Sequence, residues 1–590
     1  MSHRAVFLLT IVTLTSPLLV KAETNIIPQT APQSSDQAKP VPAALSAADI
    51  AAMDKDLLEI TIPQLEDLYA SHKYTVTQVV QWYLARIQKY NGIYMAVQTL
   101  NDLEALKVAA QEDAAYAAGN IQRGPMWGVP IVTKANTSVR GLITTDGWRG
   151  YKIPGHELVA PKDATIVARL KTAGAIILGQ TNMPDFAASD TNRSTAFGRT
   201  GNAYDVRFSP GGSSGGTVTA VTSNYVMLGN GTDTANSIRM PAATSAVIGV
   251  FPTRGLVSIA GIAPLDWLLD NTGPIARDVT DAAIALTVMA GEDPLDSRTA
   301  GSAAKAQPAP YTQYLKTDAL KGKRFGVPAF ILHGAGIPFQ GIHASVSEKV
   351  AEDQRDASRL PLEPSTRAAF MNAIEGLRAA GATIVFDDSI LPDSFAKTIS
   401  RVGTLPYVRE GTENFLKNYG PPQYHSAAEY EKAVGSPLPA TIIGGWSGAD
   451  RRAEAPIPQV KIETDPNAEA NYFRPKRKAL EEYYATLERL HLDGYVYPAT
   501  QMPPPDETMP QNGAISDGPH SDTGWVNMIG VPAVVVVGGF YPDGLPFGLE
   551  ISGREWKDGD LLGYAYAYEQ ATKHRHPPVL VENGLLPIAR

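Results

Sequence analysis

Hydrophobic positions recur along this chain at two different spacings. Val76, Val79, Val80, Tyr83, Leu84 and Ile87 fall on one helical face, behind Thr75 and Gln78 at the spacing of a capping box. That spacing predicts an amphipathic helix, one of several before residue 120. From about residue 125 the pattern changes to short apolar runs bounded by Gly or Pro, beginning with Val129–Val132, Ala175–Leu178 and Val226–Leu228. Ile384–Phe386, Tyr495–Tyr497, Val534–Val537 and Leu549–Ile551 continue the series. Helical stretches separate them: Ala164–Thr172 is one, and Phe370, Ile374 and Leu377 mark another that starts near Ser365 and stops at Gly381. Runs alternating in this way predict an α/β fold, a sheet covered by helices, with strand material reaching the C-terminus. The even spread favours one large domain, although 590 residues exceed the usual size of a single one.

Three stretches break the pattern and read as a linker and lid-like surface insertions. Residues 292–318 are rich in Pro, Ala and polar side chains, while 333–364 and 411–466 lack strong periodicity and carry many Gly, Pro and charged residues. Within or beside these regions, Trp446, Tyr472 and Trp525 are candidate substrate contacts, with core packing as the equally available role. At the N-terminus, His3 and Arg4 precede an apolar stretch from Val6 to Val20, and Val20-Lys21-Ala22 offers a small-residue cleavage site. Residues 1–22 therefore read as a signal peptide and 23–44 as a polar arm, leaving 45–590 as the catalytic domain. The expectation is export to the periplasm or medium. Pro17 and the shortness of the apolar stretch argue against a membrane anchor.

Composition narrows the chemistry. The formal charge is −9 and no Lys/Arg-rich run breaks the mixture, so there is no electrostatic footprint for nucleic acid or an anionic membrane. Cysteine is absent, which excludes disulfides, Cys-ligated metal and a thiolate nucleophile. Oxygen and nitrogen groups must do the work.

The densest cluster of special residues is Ser209-Pro210-Gly211-Gly212-Ser213-Ser214-Gly215-Gly216, where glycines permit close backbone approach around two hydroxyls. By itself it reads equally as a flexible Ser/Gly loop, and it lacks the Gly-Lys-Ser/Thr of a phosphate-binding loop. Twenty-four residues beyond Ser213, a polar turn from Gly231 leads into a helix N-terminus around Ser237. Ser237 is there a nucleophile or a helix cap. A serine nucleophile needs a base. His72, His156, His333, His343, His425, His491, His520, His574 and His576 sit in no triad context, and no Gly-x-Ser-x-Gly surrounds Ser237. Lys134, at the end of the apolar run Gly128–Thr133, is the alternative, because burial disfavours its charged form. A solvated surface lysine is the competing reading. Ser302-Ala303-Ala304-Lys305 also matches a Ser-x-x-Lys pattern, but it lies in the Ala/Pro linker and reads as chance.

Taken together these segments resemble the amidase signature family of serine hydrolases. The resemblance runs through Gly128-Val-Pro-Ile-Val-Thr-Lys134, Leu178-Gly-Gln-Thr-Asn-Met-Pro-Asp-Phe186, Ser194-Thr-Ala-Phe-Gly198, Pro210–Gly216, Gly231-Thr-Asp-Thr and Ser237-Ile-Arg239. It continues in Leu269–Pro274, Arg277-Asp278, Gly530–Ala533 and Gly544–Leu549. It implies one large domain with a central mixed, twisted sheet covered by helices on both faces. It further implies Lys134 as base, Ser213 as a bridging serine in a cis peptide, Ser237 as the acylated nucleophile, and backbone N–H groups of Thr234, Ala235, Asn236 and Ser237 as the oxyanion site. No metal or cofactor is implied, and the expected substrate is a small-molecule amide. Two departures stand out: Ala235-Asn236 replaces the usual Gly-Gly, and Ala135 follows the lysine where an aspartate is common. An esterase and a catalytically silent binding protein are the alternatives.

Overall fold

The computed structural model describes residues 44–119, 123–444, 458–508, 516 and 518–579. The expected signal peptide, nearly all of the arm, and Trp446 lie outside them. Thirteen strands are present among these residues: β1 (Val97–Leu100), β2 (Pro130–Lys134), β3 (Ile176–Thr181), β4 (Arg193–Ser194), β5 (Gly198–Arg199), β6 (Leu228–Asp233), β7 (Ile248–Phe251), β8 (Asn271–Ala276), β9 (Arg324–Val327), β10 (Thr383–Phe386), β11 (Gly494–Pro498), β12 (Ala533–Phe540) and β13 (Pro546–Ser552). Apart from the small β4–β5 pair, they form one sheet in the order β1-β3-β2-β6-β8-β7-β12-β13-β11-β9-β10. Parallel pairs β3–β2–β6 and β11–β9–β10 flank an antiparallel centre, so the sheet is mixed.

Alternation along the strands puts the core on both faces. In β11, Val496 packs into the larger apolar cluster while Tyr495 and Tyr497 enter a second one with Tyr483, Leu487 and Trp525. Helices cover each face, which is why these strands read as continuous apolar runs rather than amphipathic ones. The helix Val76–Tyr94 begins at the expected capping box: Gln78 N–H donates to Thr75 Oγ1 at 3.1 Å and Thr75 N–H returns to Gln78 Oε1 at 2.9 Å. The helix Pro364–Ala379 opens on proline and ends before Gly381, whose φ of +97° suits glycine. No helix among the described residues is long and apolar enough to cross a membrane.

Two expectations need correction. Gly231–Asp233 is the end of β6, not a polar turn, and Ser237 does not cap the following helix, Arg239–Thr244. The insertions are also more structured than their lack of periodicity suggested, since they carry the helices Glu348–Ala357, Val408–Tyr419 and Ala427–Val434. Glu348–Ala357 buries just Ala351 and Gln354 and so leaves no apolar stripe. Val408, Phe415, Leu416 and Tyr419 do fall on one face, but Gly411 interrupts the stripe. Phe415, Tyr419, Tyr424 and Tyr430 form an aromatic cluster with Tyr151 and Phe186. The Ser302–Lys305 pattern is a single turn in which Ser302 is buried and Lys305 is exposed, 5.2 Å from the Trp556 ring.

Candidate active site

Lys134 is the last residue of β2, held between β3 and β6, and its side chain is fully buried. Its Nζ lies 2.7 Å from Ser213 Oγ, 3.0 Å from Ser214 Oγ and 2.8 Å from Thr232 Oγ1. Desolvation lowers the lysine to about 7, against the opposing charges of Asp146, Asp233 and Asp270. A lysine poised there takes and returns protons near neutral pH.

Ser213 follows a cis Gly212–Ser213 peptide, and the glycine-rich loop feeds the buried helix Gly215–Thr222. Any side chain at position 212 would bring a Cβ to 2.3 Å from the Thr191 carbonyl oxygen, so glycine is required by the close approach. Ser214 N–H donates to the Ser237 carbonyl at 3.2 Å, fastening the loop to the segment that carries the second serine.

That segment is anchored from below. Arg239, completely buried, donates from Nε and Nη2 to Asp233 at 3.1 and 3.2 Å and from Nη1 to Glu550 Oε1 at 2.7 Å. Its Nη2 also donates to the Ala235 carbonyl. Asp233 Oδ2 takes the Ile238 N–H at 3.0 Å, while Thr234 Oγ1 donates to Asp270 at 2.6 Å. The N–H groups of Ala235, Asn236 and Ser237 have no acceptor among the described residues. A run of amides held in this way is suited to binding developing negative charge.

Thr234, Ala235, Asn236 and Ser237 line a cavity of about 360 Å³, a size that fits a small molecule. Lys134 and Ser213 are set back from its lining. The cavity's other lining residues include Ala187, Ala188 and Leu265, Ile337 and Phe339 from the 333–364 segment, and Asp190, His520 and Asp522. Asn236 Nδ2 donates to Ser521 Oγ at 2.9 Å and to Asp190 Oδ1 at 3.3 Å, and His520 Nδ1 lies 3.3 Å from Asp190 Oδ2. Asp522 accepts from Gln501 at 3.0 Å, and burial pushes its carboxyl well above the usual range. Among the described lining residues there is no Lys or Arg.

The structure thus gathers Lys134 and Ser213 into one hydrogen-bonded group and puts Ser237 with the expected oxyanion amides at the cavity. Sequence reasoning missed Thr232 and Ser214 as partners of the lysine, and Asp190 and Asp522 in the cavity wall. Ser214 sits inside the glycine-rich motif and Thr232 inside Gly231-Thr-Asp-Thr, whereas nothing local marks Asp190 or Asp522. Trp525 and Tyr472 are core residues: Trp525 is enclosed by Phe330, Phe395 and Tyr483, and Tyr472 packs in the same cluster.

The sequence and the fold both have known relatives. The family model described as Amidase matches residues 78–354 and 339–562. A glutamyl-tRNA(Gln) amidotransferase subunit of Symbiobacterium thermophilum is 31% identical over 537 residues, covering 89% of this chain and 99% of that protein. The Moorella thermoacetica counterpart is 31% identical over 555 residues, with coverages of 89% and 99%. Among solved structures, native peptide amidase from Stenotrophomonas maltophilia superposes with a TM-score of 0.67 at 29% identity, covering 88% of this chain and 98% of that one.

Proposed function

The chain belongs to the amidase family, enzymes that act on C–N bonds, and from that premise we propose an exported serine amidohydrolase that hydrolyses small carboxamides through an acyl-enzyme on Ser237. The observation that carries this reading is the buried Lys134, lowered to about 7 and 2.7 Å from Ser213 Oγ, beside a cavity whose wall includes Ser237.

In this mechanism Ser237 Oγ attacks the amide carbonyl carbon while its proton passes through Ser213 to neutral Lys134. The carbonyl oxygen becomes an oxyanion bound by the N–H groups of residues 234–237. The C–N bond then breaks as Lys134, through Ser213, protonates the departing amine. Water attacks the acyl-enzyme with the same base and releases the carboxylic acid. Asp190 gives the cavity lining an acidic group with no Lys or Arg among the described lining residues, so the favoured substrates are neutral or cationic in the part that meets it. The 1–22 segment supports export, and a mature N-terminus near Glu23 is the expected product.

Amine or ammonia release from an amide panel by wild type, Ser237→Ala and Lys134→Ala tests this reading. Loss of activity in both variants is expected, and equal activity in all three overturns it. N-terminal sequencing of protein recovered from the producing cells tests export. The role of the sequence relatives favours a second reading, one component of a multi-protein amidotransferase. Co-purification with partner proteins, and amidase activity that needs them, would select it.

A further inference from the structure

The 292–318 and 411–466 stretches, which break the hydrophobic pattern of the chain, have no part in the chemistry above. Residues 294–298 from the first and several from the helix Val408–Tyr419 line a second cavity of about 380 Å³, together with Lys162 and the 259–267 loop. A space of that size fits a small molecule. It shares no described lining residue with the cavity at Ser237: Leu265 and Leu269 line that one, Pro264 and Trp267 this one.

The apolar part of the lining is aromatic and held in place. Trp267 packs on the helix at Gly411, where a Cβ would lie 2.9 Å from the tryptophan Cβ and Cδ1, so the glycine that interrupts the apolar stripe makes room for the indole. Trp267 Nε1 donates to the Tyr407 carbonyl at 3.1 Å. One turn apart on the helix, Phe415 and Tyr419 hold their rings 8° from parallel with centroids 6.2 Å apart. Tyr419 in turn needs Gly261, since a Cβ there would lie 2.7 Å from its Cε1. These rings need no reordering to receive a flat ligand.

The charged groups of the described lining are Asp296, Arg298 and Lys162. Two of them answer each other. Arg298 Nε and Nη2 donate to the Asp296 carboxylate at 2.9 and 2.8 Å, and Nη1 donates to the carbonyls of Trp267 and Asp270 at 2.8 and 3.0 Å. Lys162 is exposed, pairs with no carboxylate among the described residues, and sets its Nζ 4.3 Å from the centroid of the Tyr419 ring. An ammonium over a ring is weakly held and keeps N–H groups for an anion.

We propose that this cavity is a second binding site, for a planar aromatic carboxylate. The ring system packs against Trp267, Phe415 and Tyr419, and the carboxylate accepts from Lys162 Nζ. An aliphatic acid loses the aromatic contact, a neutral arene loses the ion pair, and a cationic arene meets the lysine charge. Nothing in this depends on the chemistry at Ser237.

The test is isothermal titration of 2-naphthoate into the full chain near neutral pH. Saturable binding is expected, weaker by about tenfold for cyclohexanecarboxylate and by about fivefold for the uncharged 2-naphthylmethanol. Lys162→Gln should weaken 2-naphthoate by about fivefold and Lys162→Glu by about tenfold or more. Asn418→Asp adds a negative charge to the lining, weakens binding as well, and carries the test if Lys162→Glu fails to fold. Asp190→Asn should leave it unchanged. An anion bound in the cavity at Ser237 would instead be tightened by Asp190→Asn and be indifferent to Lys162, and that pattern overturns the proposal. So does the absence of saturable binding, or binding that the folded Lys162 and Asn418 variants leave unaltered.

Discussion

Asn236, directly before Ser237, donates from Nδ2 to Asp190 Oδ1 at 3.3 Å, and both residues line the cavity. The contact ties the 234–237 segment to another part of the lining and places a side chain where glycine would leave space. Asn236→Gly should enlarge the cavity. The expected outcome is a lower KM for amides with bulky acyl groups, by about tenfold, with less change for small ones, since one small group in a pocket is worth about 1–3 kcal/mol. Paired kinetics on short and branched amides check it, and an unchanged preference would leave Asn236 without a part in selectivity.

The pH profile follows from Lys134. Its folded-state value, about 7, lies below its ordinary value, so the neutral base predominates above pH 7 and is lost on acidification. The expected kcat/KM rises about tenfold per pH unit up to neutrality and then levels. A limb near pH 4, where carboxylates titrate, would point to a different base.

Arg239 binds Asp233 and Glu550, both buried, and the half-buried Ala235 carbonyl. Removing the cation strands two interior carboxylates, and breaking such a buried pair costs about 3–5 kcal/mol. Arg239→Ala should therefore lower the apparent melting midpoint by several degrees and disorder the oxyanion segment as well. Arg239→Lys should recover part of the stability, because a point charge cannot reproduce the guanidinium's fork. A melting curve unchanged in Arg239→Ala would show that the cluster carries no net stability.

Most of the sheet is legible because its inner strands are buried on both faces and read as plain apolar runs, as in β2, β3, β11, β12 and β13; the half-exposed edge strand β10 is marked by the run Ile384–Phe386. The capping box at Thr75 and Gln78 marks a helix start through purely local hydrogen bonds. Lys134, Ser213 and Ser237 stand out because each sits in a local motif, a strand end or a glycine-rich stretch. What stays hidden is what distance in sequence conceals. Thr232 comes to Lys134 Nζ from β6, and Asp522 comes to the cavity from the far end of the chain. The end of β6 reads as a turn because Gly229, Gly231 and Asp233 are poor strand formers, yet pairing with β2 and β8 overrides that preference.

A cavity carboxylate makes a prediction about substrate charge. Asp190 lines the cavity together with Ser237, its Oδ2 lies 3.3 Å from His520 Nδ1, and no Lys or Arg is among the described lining residues. Bringing a second negative charge into a partly desolvated site is costly, so an amide whose acyl part ends in a carboxylate should react more slowly than its neutral isostere. Asp190→Asn removes the opposing charge while keeping the side chain's shape. It should narrow the gap between neutral and anionic substrates by about tenfold, with a smaller effect on the neutral one. The measurement is the ratio of kcat/KM for a matched pair, such as a simple amide and its ω-carboxylated analogue, in wild type and variant. At raised ionic strength the wild-type ratio should fall less than for a surface site, because a partly buried pair is weakly screened. An identical ratio in wild type and Asp190→Asn would show that this carboxylate does not sense the substrate's charge.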